Sequence, residues 1–166
     1  RQEKLRCQNN LIYLVKEVLG SEDPRKNLWG QVHLEIAAAL KELVNKCLIL
    51  IPRGHLKSTL VTVGWTIQQL ISNRSLRILI ASAELDNSKG FLATIKTQIE
   101  KNPKFIARFG NWKDERKWTQ EKIDIVGKTY GEKENTITAA SIGTDMTSQH
   151  YDIIIMDDLV NRRFSR

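Results

Sequence analysis

Lys57, Ser58 and Thr59 stand directly after Pro52-Arg53-Gly54-His55-Leu56, and that loop follows the apolar run Cys47-Leu48-Ile49-Leu50-Ile51. A hundred residues later (157 − 57 = 100), Asp157 and Asp158 close a second apolar run, Ile153-Ile154-Ile155-Met156. A Lys-Ser pair opening a helix after a buried strand has the chemistry of a phosphate loop. Backbone N–H groups and the helix N-terminus cradle phosphates, the ammonium reaches the β and γ phosphates, and the hydroxyl ligates Mg²⁺. A carboxylate ending a nearby strand holds the metal, and a second acid polarises the attacking water. Asp157 and Asp158 are placed for those two roles, so the expected ligands are ATP and Mg²⁺.

The pattern departs from the usual phosphate loop. Counting back from Lys57, glycines belong at 51 and 56, where this chain has Ile51 and Leu56; Gly54 is the only glycine of the loop. The plain alternative is an ordinary turn with Ser58 capping a helix. For the acids, the plain alternative is a pair of solvated strand-end aspartates. Each motif alone is weak, and the two together favour the phosphate reading.

These residues need elements to hold them. Leu11, Leu14, Val15, Val18 and Leu19 recur at helical spacing, with Gly20 placed to end that helix. A polar loop follows over 21–27. A second helix is expected over about 33–45. Residues 47–51 read as a strand buried on both faces, stopped by Pro52. A helix is expected from 57 to about 71, although Val61, Thr62, Val63 and Thr66 lower its propensity. Then come a strand over 77–81, a helix over about 85–100 ended by Asn102-Pro103, an irregular aromatic stretch over 105–118, strands over 122–126 and 136–140, and a last strand over 153–156. Alternating apolar strands and helices imply an open, mostly parallel α/β sheet flanked by helices. Ligands of such sheets sit beyond the carboxyl ends of the strands, where both motifs fall.

Length and composition agree with this. The chain has 166 residues, suited to one domain with its own core. Apolar residues make up 41% and charged residues 27%, which excludes disordered, collagen-like, coiled-coil and mucin-like classes as the main state. No apolar run approaches a membrane span, and residues 1–10 are too polar for a secretory signal. The formal charge of +7 suits an anionic partner such as nucleic acid, or serves solubility alone. Cys7 and Cys47 match no zinc or redox spacing, and Cys47, opening an apolar run, is expected to be buried.

Three segments in order carry a resemblance: Trp29 with His33-Leu34-Glu35-Ile36, the loop Pro52 to Thr59, and His150-Tyr151-Asp152 running into Ile153 to Val160. Together, over about 33–161, the chain resembles the large terminase subunit of tailed bacteriophages. The resemblance implies a three-layer P-loop NTPase of the additional-strand, catalytic-acid class. The 100-residue spacing of the two motifs suits that class, since it leaves room for an intervening strand. It implies one ATPase domain over 1–166 with a helical lead-in over about 1–46, ending after the acidic strand and lacking the family's coupling strand and nuclease domain. Carried over, Lys57, Ser58 and Thr59 bind triphosphate and Mg²⁺ within a loop formed with Gly54, His55 and Leu56. Arg53 contacts the γ-phosphate, Asp157 is the metal acid and Asp158 the catalytic acid. Gln31 or His33 stands where the family recognises adenine. Asp158 replaces the usual Glu, and residues 143–150 contain no arginine to act in trans. The implied partners are double-stranded DNA, a portal protein, a small terminase subunit and further copies in a ring, a pentamer, within the host cytoplasm and away from membranes. Two alternatives stand beside this: a related P-loop helicase or DNA translocase, and a non-catalytic nucleic-acid-binding module with a degenerate nucleotide site.

Other residues have rival readings. His55 either aids phosphate binding or fills the loop, and His150 reads as structural. Trp65 reads as core. Trp112 and Trp118, flanked by Lys113, Arg116 and Lys117, form the best aromatic–basic cluster for nucleic acid, against the simpler reading of a loop packed by two aromatics. Ser82, Ala83 and Glu84 follow a strand on the ligand side. Asp145, Asp152 and Glu84 are reserve candidates for the catalytic acid.

Overall fold

In the computed structural model, the described residues are 2–20, 30–43, 45–129, 133–144 and 149–159. Trp29, Asp145 and Val160 lie outside them. In chain order the elements are α1 (Gln2–Asn9), α2 (Leu11–Tyr13), a π-helical turn (Leu14–Val18), α3 (Gln31–Lys41), a second π-helical segment (Thr59–Trp65), α4 (Thr66–Ser72), β1 (Ile78–Ser82), α5 (Leu85–Lys101), α6 (Pro103–Phe109), β2 (Lys113–Trp118), β3 (Lys122–Ile125), β4 (Ile137–Ser141) and β5 (Ile153–Met156).

The protein is α/β, with a five-stranded sheet of order β2-β3-β4-β1-β5 flanked by helices. β1 is buried along its whole length and pairs in parallel with β4 on one side and β5 on the other. The other two pairings, β2 with β3 and β3 with β4, are antiparallel. The sheet is therefore mixed, not mostly parallel as expected. Chain length is the reason: residues 119–121 join β2 to β3 and residues 126–136 join β3 to β4, and parallel neighbours need a crossover of about a dozen residues or more.

Successive strand residues face opposite sides of the sheet. Ile78 and Ile80 of β1 join Ile137, Ala139 and Ile155 in the main core, to which α1 through α6 all contribute apolar side chains. Leu79 and Ala81 face the other way, in a small cluster with Ala140 and Tyr151. No helix among the described residues joins that second cluster, so the third layer of the expected architecture is not found among them. Gly64 lets the helix that opens at Lys57 press on the N-terminal helices: a Cβ there would lie 2.3 Å from Val15 Cγ2.

Two segments differ from expectation, the first of them leading into the 52–59 loop. Residues 47–51 form no strand: they are extended, with Ile49 and Ile51 against the core and Leu48 and Leu50 each 82% exposed. Burial on one side only, and no strand partner among the described residues, replace the expected two-sided burial. Cys47 is exposed for the same reason. The stretch expected to be irregular holds α6 and β2.

Candidate functional site

The loop between residue 51 and the helix is shaped by two left-handed residues. Gly54 has φ +85° and Leu56 has φ +50°. Leu56 occupies the place of the missing second glycine, so the loop keeps the backbone bend without the residue that adopts it freely. The loop is anchored from beneath. His33, buried on α3, places Nε2 3.0 Å from the carbonyl oxygen of His55. The Nδ1 of His55 lies 3.2 Å from the carbonyl oxygens of Pro52 and Arg53. Gln31 sits exposed at the start of α3 and donates to Glu35 at 3.0 Å. Arg53 is exposed, while Lys57, Ser58 and Thr59 are half-buried.

The helix opens at Lys57 and runs unbroken through its π-helical segment into α4. β5 brings Asp157 to its mouth. The Asp157 N–H donates to Ala81 at 3.0 Å, continuing the parallel ladder one step past the strand. Lys57 Nζ lies 2.9 Å from Asp157 Oδ1. Thr62 Oγ1 donates to Asp157 Oδ2 at 2.9 Å. Asp157 is only 2% exposed. Burial pushes its carboxyl up, but contacts from Ser58, Lys57 and Thr62 and the charge of Lys57 outweigh that and hold it below the usual carboxylate range. The site therefore holds a buried, ionised carboxylate facing an ammonium and two hydroxyls.

Asp158 is exposed with φ +51°, and its carbonyl accepts from Ala83 at 3.2 Å. Aspartate tolerates this conformation better than most residues. Asp158 stands two residues past the end of β5, at the carboxyl end of the sheet. Ser82 ends β1 in the register position beside Asp157, since the preceding pair is Ala81 with Met156. Its hydroxyl is buried and has no hydrogen-bond partner among the described residues.

These residues fit a nucleotide-borne Mg²⁺. That ion keeps much of its water and takes one or two carboxylates together with substrate phosphates. Asp157 and the Ser58 hydroxyl supply that share, and Asp157 Oδ1 faces the Lys57 ammonium at 2.9 Å. No cluster of three or more His, Cys, Asp or Glu occurs among the described residues, so a protein-only metal cage is not built here.

Thr62 was not singled out from sequence as a functional residue. Its signal was its place four residues after Ser58, one turn along the same helix face. Asp152 is engaged elsewhere, accepting from Arg77 Nη2 at 2.8 Å and from Arg77 Nε at 3.0 Å. Glu84 precedes α5. The backbone N–H of His150 donates to Glu134 at 3.2 Å. Trp65 is buried, as expected.

The aromatic–basic cluster is packed upon itself. Trp112 is buried, edge-on to Phe105 at 4.9 Å, with the Arg74 guanidinium 4.4 Å over its ring. Trp118 donates to Glu100 at 3.4 Å. Lys113 pairs with Glu100 at 3.0 Å, Arg116 with Asp114 at 2.7 Å and Lys117 with Asp124 at 3.7 Å. A cavity of about 480 Å³ lies between β2 and the turn after β3, and no residue of the 52–59 loop lines it.

Among the described residues no helix is long and apolar enough to cross a membrane. No family model matches the chain, and no curated protein is significantly similar to it.

Proposed function

We propose that this chain is an ATPase that binds Mg·ATP over residues 52–59 and hydrolyses it. The observation that carries the reading is the 2.9 Å contact between Lys57 and Asp157, two residues a hundred positions apart. They meet at the carboxyl end of three parallel strands, the edge where sheets of this kind take ligands. An ordinary helix cap would need neither the buried acid nor the lysine beside it.

In this reading Lys57 leaves Asp157 for the β and γ phosphates, and the loop N–H groups bind the phosphate oxygens. Ser58 and Asp157 would hold Mg²⁺, which would offset charge on the transferring phosphoryl group. Asp158 accepts a proton from water as its oxygen attacks the γ phosphorus; the bond to the β-phosphate oxygen breaks, leaving ADP and phosphate. Arg53, exposed on the loop, contacts the γ-phosphate. Gln31 lies on the adenine side, and His33 holds the loop from below. The fold is then a P-loop NTPase of the additional-strand class.

The biological role we propose is the motor of a viral DNA-packaging terminase. The three resembling segments and the +7 charge support it. Its track would be double-stranded DNA and its partners a portal, a small subunit and further copies in a ring.

The test is nucleotide binding and turnover. The parent chain should bind Mg·ATP. Lys57→Ala, folded by circular dichroism, should lose hydrolysis and bind more weakly, because among the described residues Lys57 is the cation paired with Asp157. Parent-level hydrolysis in that variant would overturn the reading.

A further inference from the structure

We infer that Thr62 is the positioning residue for the metal-binding carboxylate of Asp157. The inference rests on the nucleotide-site reading and deepens it. Thr62 is 1% exposed, and its hydroxyl donates to Asp157 Oδ2 across 95 positions of sequence. A threonine inside a helix ordinarily turns its hydroxyl back to the carbonyl four residues earlier. Thr66, one turn on in the same helix, does that, donating to the Thr62 carbonyl at 2.7 Å. Thr62 departs from the habit of its neighbour and reaches β5 instead.

The consequence concerns the two oxygens of one acid. With Oδ2 held by Thr62, Oδ1 is the oxygen left facing Lys57, at 2.9 Å. When Lys57 moves to phosphate, Oδ1 is already aimed at the vacated place. The carboxylate then meets a cation without first rotating or breaking a hydrogen bond. Without the hydroxyl, Oδ2 would be a buried acceptor with no donor, and the carboxylate would turn toward Lys57 to satisfy it. Thr62 lies in π-helical chain, where the wider turn re-aims side chains, and such segments recur at functional sites.

Thr62→Val keeps the shape and removes the donor. The readout is the ratio of ATP affinity with excess Mn²⁺ to ATP affinity in EDTA, by calorimetry. Loss of a hydrogen bond that orients a metal ligand lowers metal affinity about 10–100-fold, so the ratio should fall by that factor in Thr62→Val. Affinity in EDTA should stay at the parent value. Thr62→Ser, which restores the hydroxyl, should restore the ratio. A parent ratio in Thr62→Val overturns the inference. Equal losses with and without metal also overturn it, because they mark a residue that only supports the fold. Should Thr62→Val not fold, Thr62→Ala gives the same reading; if both unfold, the hydroxyl belongs to the fold and the inference fails. A parent chain that binds no ATP in either condition overturns the nucleotide site itself, a distinct result visible before any variant is made.

Discussion

Leu56 is the residue at which this loop departs furthest from the usual pattern, and its backbone explains why the pattern exists. A side chain at φ +50° brings Cβ against the following carbonyl, at a cost of about 1–2 kcal/mol. Glycine escapes that cost but gives up about 0.5–1 kcal/mol through its freer unfolded chain. The balance is measurable if the leucine side chain is removed from both sides of the comparison. Leu56→Gly and Leu56→Ala lose the same packing, and only the alanine keeps the strain. Leu56→Gly should therefore be the more stable of the two by about 0.5–1 kcal/mol, the reverse of their order in a helix. Urea midpoints compare them directly, and a more stable alanine variant would show that the loop relaxes out of the left-handed region. At this scale Lys57, Ser58 and Asp157 could be named from residue type and from their places after two apolar runs, and the structure brings Lys57 to 2.9 Å from Asp157. Thr62 could not, because a threonine in a helix has a local partner available and nothing in the sequence says that it will refuse it.

The elements show the same division between local and distant causes. β1, β5 and α5 were legible because their apolar spacing is strong and their ends are marked. α6 was missed although its signal was present: Asn102 accepts from Lys104 and Phe105, with Pro103 in the first turn, so the pair that stops α5 also starts the next helix. β2 was missed because Lys113-Asp114-Glu115-Arg116-Lys117 has no apolar alternation; its charge suits an edge strand that must not pair further. The mixed sheet was missed because pairing direction is decided by connections, not by strand composition. Asp124 of β3 ties that antiparallel half to the strand beyond it. It accepts from the Thr136 N–H at 2.8 Å and from Lys128 Nζ at 3.1 Å. Burial pushes its carboxyl up, but those donors and the charges of Lys128 and Lys117 outweigh it and hold it below the usual range. A carboxyl harder to protonate folded than unfolded stabilises the protein above the unfolded value, about pH 4, and that contribution is lost as pH falls through the lower folded value. Urea unfolding should therefore show stability dropping below about pH 4. In Asp124→Asn that drop should be shallower, from a lower starting stability at neutral pH. An unchanged acid slope in the variant would assign the drop to other carboxylates.

The whole molecule combines a net positive charge with exposed apolar side chains. The +7 formal charge of the chain keeps copies apart at low salt. Leu48 and Leu50 stand out from an extended segment, and Ile154 and Met156 stand out from β5, whose far edge has no strand partner among the described residues. In solution charge repulsion and apolar attraction compete. Raising salt screens the repulsion within a Debye length of about 8 Å at physiological strength and leaves the apolar attraction intact. The isolated chain should accordingly behave as a colloid whose limit is ionic strength: clear and dispersed in dilute buffer, turbid as salt is added, and bright with an environment-sensitive naphthalene dye throughout. Leu48→Lys with Leu50→Lys should dim the dye and move the turbidity threshold to higher salt, read by light scattering. Dye fluorescence and threshold both unchanged would locate the stickiness elsewhere. Any preparation of this protein is then a choice of salt, since the ions that screen its charge are those that let its own molecules come together.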